Sequence, residues 1–262
     1  MQFIDSHTHL DFSDFDSDRE DVIKRALKFG ISDLIVSATT AKGWGKLANV
    51  VAKHQPHCHA AYGLHPMFMA DYQSHQLEQL PLFLKKSHAV AVGEIGLDYS
   101  ILNYHDEKAK NNQLDLFITQ LEIAVSLDLP VIIHARKSLD IVLREVRRLP
   151  KLCGSVHCFS GSIQQAEQLI ECGFYLGFGG PITYTRATKL RKLVEVLPLA
   201  ALLLETDSPD QPDASHYKMR NEPAFIIKVA KTIAELRNIS IQEVAQVTSY
   251  NAQQLFGLKS TK

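Results

Sequence analysis

Apolar positions along the chain follow two different spacings in turn. Short continuous apolar runs, typical of buried strands, are separated by longer stretches in which apolar residues recur at helical spacing. This pattern predicts eight strands, each followed by a helix. The strands are predicted at Phe3 onward, Leu34–Val36, Ala60–Tyr62, Ala89–Glu94, Val131–His134, Gly154–His157, Phe174–Phe178 and Ala201–Glu205.

Strands and helices that alternate in this way predict an α/β protein with parallel strands and helical crossovers. The economical arrangement is a closed (β/α)8 TIM barrel that forms a single domain over residues 1–262. The helical tail from Glu222 to Phe256 is expected to pack on the outside. A doubly wound open sheet is the competing fold, and it is less favoured because no strand leads into a GxGxxG phosphate loop.

The amino-acid composition is typical of a globular protein and limits the kinds of partner that the chain can attract. The 262 residues are 45% hydrophobic and 22% charged, and the formal net charge is -1, which excludes a general electrostatic attraction to nucleic acid or membrane. The four cysteines form no CxxC motif, and no leader-like segment or membrane-length apolar run is present. We therefore expect a cytoplasmic protein with no membrane association and no obligate protein partner.

The segment Asp5-Ser6-His7-Thr8-His9 carries the first candidate chemistry. Side chains two apart in a strand share a face, so Asp5, His7 and His9 are expected to project together. Two such imidazoles can bind one metal ion, and the carboxylate of Asp5 can accept the N–H of a ligating ring. Taken alone, the segment is equally compatible with a half-buried strand that has a polar face.

Further polar residues follow the predicted strands at their carboxyl ends. In a parallel barrel these ends open on one face, where barrel active sites lie. Repetition on separate strands makes packing an unsatisfactory explanation, and the sequence therefore predicts a site at this face. The residues are His7 and His9 at the end of the first strand, His65 after the third, Glu94 at the end of the fourth, His134 and His157 at the ends of the fifth and sixth, and Asp207 after the eighth.

Six nitrogen and oxygen ligands exceed what one catalytic zinc ion takes, so we predict two divalent ions. His7, His9 and Asp207 are assigned to one ion, His134 and His157 to the other, and Glu94 to a bridge. Imidazole and carboxylate ligands suit zinc, magnesium or manganese. Because Cys158 follows His157 directly, its side chain is expected on the other side of the strand.

A second His-x-His segment, His57-Cys58-His59, lies at the start of the third predicted strand. In a barrel the starts of the strands form the face opposite the active site. We therefore predict a structural role for this segment.

Six different short motifs are spread in a fixed order over nearly the whole chain. In that order they resemble the TatD-like metal-dependent deoxyribonucleases, and residues 179–184 and 203–207 are most similar to the YjjV-type branch of that family. The motifs are His7-Thr8-His9, Gly63-Leu64-His65-Pro66, Gly93-Glu94-Ile95-Gly96-Leu97-Asp98-Tyr99, Pro130-Val131-Ile132-Ile133-His134-Ala135-Arg136, His157-Cys158-Phe159-Ser160-Gly161 and Glu205-Thr206-Asp207-Ser208-Pro209.

The resemblance implies a barrel of the amidohydrolase kind that hydrolyses phosphodiester bonds in DNA, from single-strand 3′ ends, with a metal-activated water. The expected substrates are nucleic-acid strand ends or nucleotides. Catalytic roles follow for Asp207 as the proton acceptor, His65 as a donor to the phosphate or the leaving group, and Arg136 as a fork on phosphate oxygens. No organic cofactor is implied.

Two other functions remain open from the residues. The same metal chemistry would serve an amidohydrolase acting on a lactone, amide or aminoacyl ester, although Glu94 stands where some such barrels carry a modified lysine. A non-catalytic metal-binding barrel is less favoured, because structural zinc sites tend to be cysteine-rich. Aromatic and cationic residues expected near the same face are Phe68, Tyr99, Phe159, Tyr184, Tyr217, Lys137, Arg186, Lys218 and Arg220.

Overall fold

The computed structural model describes residues 1–103 and 105–259. Eight strands and nine α-helices lie in these ranges. The strands are β1 Phe3–Thr8, β2 Ile31–Ser37, β3 Cys58–Tyr62, β4 Ala91–Asp98, β5 Val131–Arg136, β6 Gly154–Val156, β7 Phe174–Phe178 and β8 Leu202–Leu204. The helices are α1 Arg19–Lys28, α2 Trp44–Lys53, α3 Ser74–Lys86, α4 Glu107–Leu127, α5 Leu139–Arg147, α6 Ile163–Glu171, α7 Thr188–Val196, α8 Ile226–Arg237 and α9 Ile241–Phe256.

The strands pair in the order of the sequence, and every pair is parallel. The ends of the sheet meet where β1 and β8 lie side by side. There the backbone N–H of Asp207 donates to the carbonyl of His7 at 2.9 Å, and that of His9 donates to Ser208 at 2.8 Å. The sheet is therefore a (β/α)8 barrel, and the competing open sheet is excluded by the sequential strand order.

Two apolar clusters stabilise the barrel. The larger one fills the layer between the strands and the surrounding helices. The smaller one fills the barrel interior near the strand starts and is continuous with the last helix. Its members are Ile4, Ile35, Ala61, Ala91, Ile132 and Leu203 from the strands, with Ala252, Leu255 and Phe256 from α9.

Helix α9 covers the N-terminal end of the barrel. The side chain of Asn251 donates to the carbonyls of Leu199 and Leu202 at 3.0 and 2.9 Å, and Ser249 donates to the carbonyl of Gln2 at 3.2 Å. The sequence predicted that the helical tail packs on the outside. Helix α8 lies against α7, and α9 packs across the strand starts at one end of the barrel. None of the described helices has the length and apolar content needed to cross a membrane.

Two strand ends differ from the sequence prediction in ways that affect the site. Glu94 was expected at the end of the fourth strand, but β4 continues to Asp98. Between Val92 and Ile95 the register with β5 shifts by one residue, and such a bulge re-aims the side chains at that point. Strand β6 ends at Val156, so His157 begins a turn and does not end the strand.

Candidate metal centre and active site

One group of side chains joins β1 to β4 and β8. Nε2 of His7 and Nε2 of His9 are 3.2 Å apart, and they lie 3.2 and 3.3 Å from Oε2 of Glu94. Both nitrogens also lie 3.4 Å from Oδ1 of Asp207. Four potential ligand atoms therefore surround one point, as the sequence predicted.

A second group shares the same glutamate. Oε1 of Glu94 lies 3.1 Å from Nδ1 of His134 and 2.7 Å from Nε2 of His157, and these two nitrogens are 3.1 Å apart. The two oxygens of Glu94 thus face two different sets of imidazoles. This is the arrangement expected of a carboxylate between two ions.

Neighbouring groups orient the imidazoles. Nδ1–H of His9 donates to the carbonyl of Ser37 at 2.8 Å, because a carbonyl can only accept. The hydroxyl of Ser37 lies 3.2 Å from Nδ1 of His7. Nε2 of His134 lies 3.0 Å from Oδ2 of Asp98. Because the outer nitrogens of His9 and His134 donate to these acceptors, the inner nitrogen of either ring in its neutral form keeps its lone pair for the centre of the group.

Asp98 and Ser37 contact the rings of candidate ligands, and the sequence assigned neither of them a role. We expected Asp5 to accept a ring N–H, but its carboxylate instead accepts from Thr206 N and Oγ1, at 3.0 and 2.6 Å, and from the backbone N–H of His7 at 3.3 Å. Burial raises the pKa of Asp5 to about 7. Asp5 therefore joins β1 to the chain after β8, and Ser37 orients the two rings.

The hydrogen bonds of His65 place the ring proton on the nitrogen that faces the centre of the group, in contrast to His9 and His134. The backbone N–H of Met67 donates to its Nδ1 at 3.1 Å, so in the neutral ring the proton must lie on Nε2. That Nε2–H donates to Oε1 of Glu94 at 2.8 Å. Burial lowers the pKa of His65, which favours this neutral ring. His65 therefore offers the centre a proton and no lone pair.

Burial and neighbouring side chains shift the pKa values of the two carboxylates in this cluster in opposite directions. Burial raises the pKa of Glu94, but its interactions with the surrounding imidazoles of His157, His65 and His7 outweigh this effect and hold that pKa well below its usual range. Burial likewise raises the pKa of Asp207, but hydrogen bonds from His7 and His9 hold it far below its usual range. Both carboxylates therefore stay anionic, and positive charge nearby stabilises them.

The donor set fits divalent ions. A tetrahedral ion with bonds of about 2.0–2.1 Å spaces its ligand atoms about 3.3–3.4 Å apart. The distance between the His7 and His9 nitrogens, and the distances from these nitrogens to Glu94 and Asp207, are 3.2–3.4 Å. Nδ1 of His157 is buried and has no hydrogen-bond partner among the described residues. Nitrogen and carboxylate donors of this kind suit zinc and manganese, with magnesium at the carboxylates.

The expected position of Cys158 was wrong. Strand alternation ends at Val156, and Cys158 has a left-handed backbone with φ of 46°. Its Sγ therefore turns toward the site, 3.5 Å from Oδ2 of Asp207. The backbone N–H of Cys158 also donates to Glu205 at 2.5 Å, and burial raises the pKa of that carboxyl to about 8.

A cavity of about 290 Å³ opens beside the second group. His134, His157 and Asp207 lie on its polar side, and Phe178 and Ile182 on its apolar side. Arg136 ends β5 at the cavity wall and is exposed; within the described residues it has no carboxylate partner. The structure thus brings all the predicted site residues to one end of the barrel, where Arg136 lines the same cavity as His134, His157 and Asp207.

The His57–His59 segment lies at the other end of the barrel, as predicted. Cys58 begins β3. Nδ1 of His57 lies 2.9 Å from the carbonyl of Ser32, and Nε2 of His59 lies 2.8 Å from Oδ1 of Asp33. These partners account for both rings without a metal.

Comparison with known proteins agrees with this geometry. The model of the TatD related DNase family matches residues 4–257. The metal-dependent hydrolase YjjV of Escherichia coli is 40% identical over 261 residues, which cover 98% of each chain. The crystal structure of that protein superimposes with a TM-score of 0.91 at 39% identity, again covering 98% of each chain.

A further relative is named for an activity. The 3'-5' ssDNA/RNA exonuclease TatD of Escherichia fergusonii is 31% identical and covers 97% of this chain and 98% of its own. The family match spans the barrel from β1 to the end of α9, and it includes both groups of candidate ligands. The chain therefore belongs to the TatD family and is a metal-dependent hydrolase.

Proposed function

We propose that this hydrolase is a deoxyribonuclease that cleaves phosphodiester bonds at single-strand ends, proceeding from the 3′ end. The observation that carries the proposal is the position of Glu94, whose two oxygens face two separate sets of imidazoles. Beside them lies a cavity lined by Arg136, which has no carboxylate partner among the described residues. Two adjacent divalent ions and the guanidinium of Arg136 would offer positive charge to the anionic oxygens of a phosphodiester. The activity named for the Escherichia fergusonii relative supports this choice of substrate.

His7, His9 and Asp207 would hold one ion and His134 and His157 the other, with Glu94 between them. When bound, such ions activate a water and neutralise charge on the phosphate. The proposed ions are two of zinc, magnesium or manganese.

The chain's own residues supply the remaining steps. Arg136 binds non-bridging oxygens of the phosphate at the cavity wall, where its guanidinium can fork onto two of them. Asp207 accepts the proton of the attacking water, since its carboxylate lies on both the cavity and the ligand group. His65, with its proton on Nε2, donates to the phosphate or the leaving oxygen.

Digestion of an end-labelled single strand, with and without chelator, tests the proposal. We expect metal-dependent shortening that removes a 3′ label first and leaves a 5′ label on progressively shorter products. Turnover of a lactone or ester without any shortening of DNA would instead establish an amidohydrolase acting on carbonyl substrates.

The Glu94→Gln variant tests the shared carboxylate. It keeps the size of the side chain but removes its charge, so we expect loss of both bound metal and activity. Retention of full metal content and activity would show that Glu94 does not bridge two ions.

A further inference from the structure

Two tyrosines, the half-buried Tyr184 and the exposed Tyr217, lie beside the cavity on the loops that follow β7 and β8. The rings of Tyr184 and Tyr217 meet edge to face, with centroids 6.2 Å apart. Tyr217 is 57% exposed, and the neighbouring Met219 is 58% exposed. Large exposed apolar side chains that cluster in this way mark binding surfaces.

A cationic side chain lies over the ring of each tyrosine. The guanidinium of Arg186 lies 5.4 Å from the ring centroid of Tyr184, and Nζ of Lys218 lies 5.4 Å from that of Tyr217. Among residues 1–103 and 105–259, neither cation has a carboxylate partner. By contrast, Arg220 forms two hydrogen bonds to Asp18, at 2.7 and 2.8 Å, and is not available to a ligand.

This Tyr184–Tyr217 platform continues from the candidate active site. A groove of about 540 Å³ is lined by both tyrosines and both cations, and it shares Pro181 and Gln211 with the cavity beside the metal centre. A chain-like ligand that leaves the cavity past Pro181 therefore meets the platform next.

Hydrogen bonds within the protein fix the position of the platform. The hydroxyl of Tyr184 donates to the carbonyls of Pro212 and Asp213 at 3.1 and 3.3 Å, and the backbone N–H of Ala214 donates to Oγ1 of Thr183 at 2.8 Å. These bonds join the loop after β7 to the loop after β8. A preformed surface loses little conformational entropy when it binds.

We infer that the Tyr184–Tyr217 platform binds the body of a single nucleic-acid strand whose end occupies the cavity. A nucleobase stacks on Tyr217, and Arg186 and Lys218 neutralise flanking phosphates. Aromatic faces accept every base, and unpaired cations suit the backbone, so the interaction is independent of sequence. The inference rests on the proposed function, which puts the end of the strand in the cavity. It adds that residues outside the catalytic site contribute to the affinity for the strand.

Strand binding by the metal-loaded protein tests the inference. The probes are fluorescent oligothymidylates with a methylphosphonate at the 3′-terminal linkage, which resists cleavage, in a series that starts at the dinucleotide. We expect Tyr217→Ala to raise the Kd of longer strands about tenfold and to leave that of the dinucleotide unchanged. Tyr217→Phe, which keeps the ring face, should bind long strands as the unaltered protein does.

Tyr250 provides a matched control. It is 58% exposed and lies on α9, at the closed end of the barrel, so Tyr250→Ala should not alter the Kd of any strand. Equal affinity of Tyr217→Ala and Tyr250→Ala for long strands would overturn the inference, as would equal weakening of the dinucleotide by Tyr217→Ala.

Salt dependence tests the cations separately. Replacing Arg186 and Lys218 together by alanine should reduce the slope of log Kd against log salt by about 1.4, since each phosphate contact on a single strand contributes about 0.7. The same change at the exposed Lys228 and Lys231 of α8 should have no effect on the slope. An unaltered slope in the first variant would contradict the phosphate contacts.

The two proposals fail in different ways. Binding that depends on Tyr217 without metal-dependent cleavage of any strand would contradict the nuclease and support the platform. Cleavage of strands whose binding is indifferent to Tyr217 would support the nuclease and contradict the platform.

Discussion

Two His-x-His segments in this chain have the same local sequence pattern and different surroundings. The rings of His7 and His9 lie at the carboxyl end of β1, against Glu94 and Asp207. The His57–His59 segment lies at the start of β3, where its rings meet a backbone carbonyl and Asp33. The comparison shows that position along a parallel strand, more than the motif itself, decides which histidines meet other ligands.

The barrel interior shows the same division. Near the strand starts it holds aliphatic side chains, which α9 covers with Ala252, Leu255 and Phe256. Near the strand ends it holds buried histidines and carboxylates. One end therefore contributes stability by excluding water, and the other places charged groups where a substrate can reach them.

The largest expected effect is that of His9→Ala. It removes a candidate ligand, and even the loss of an outer hydrogen-bond partner at a metal site costs about 10–100-fold. We therefore expect metal content to fall and DNA cleavage to decrease by more than about a hundredfold. Metal analysis and the end-labelled assay measure both, and unchanged values would contradict the assignment of the β1 segment.

A smaller loss is expected from Asp98→Asn. The amide keeps its shape but weakens the orientation of His134, whose Nε2 lies 3.0 Å from Oδ2 of Asp98. Cleavage should decrease by about 10–100-fold while the unfolding temperature changes little. Activity equal to that of the unaltered protein would show that His134 needs no such partner.

Phe256→Ala tests the opposite end of the barrel. The side chain is only 4% exposed, within the apolar cluster under α9, and such truncations cost about 3–5 kcal/mol. The thermal midpoint should fall by about 10 °C, whereas activity below that temperature should stay within about twofold of normal. A large loss of activity without a lower midpoint would show that the two ends are not independent.

The smallest effect is expected from His57→Ala, the control for His9→Ala. Its ring has one hydrogen bond at the far end of the barrel, so stability should change by about 1 kcal/mol or less. Metal content and cleavage should be unaffected. A large loss of either would show that this end of the barrel carries function.

Much of the fold could be predicted from sequence because strand and helix spacings alternate without interruption. The same regularity predicted the face on which His134, His157 and Asp207 meet, since parallel strands align their carboxyl ends. Strand β7 has the predicted bounds, because Phe174–Phe178 is a continuous apolar run ended by glycines.

Other parts depend on contacts that no local pattern encodes. Asp98 reaches His134 from a neighbouring strand, and Ser37 reaches His9 by a backbone carbonyl. Cys158 faces the site only because its backbone leaves the strand conformation. Glu94 occupies the middle of β4 at a register shift, which strand-length patterns do not reveal.

The two halves of the candidate centre differ in their tolerance of genetic change. The partner of His9 is the carbonyl of Ser37, which every amino acid would supply at that position, so a substitution that preserves the path of β2 preserves the bond. The partner of His134 is the side chain of Asp98, which a single missense change can remove. We therefore expect the orientation of His9 to tolerate missense changes better than that of His134, and variants with impaired function to include changes at Asp98.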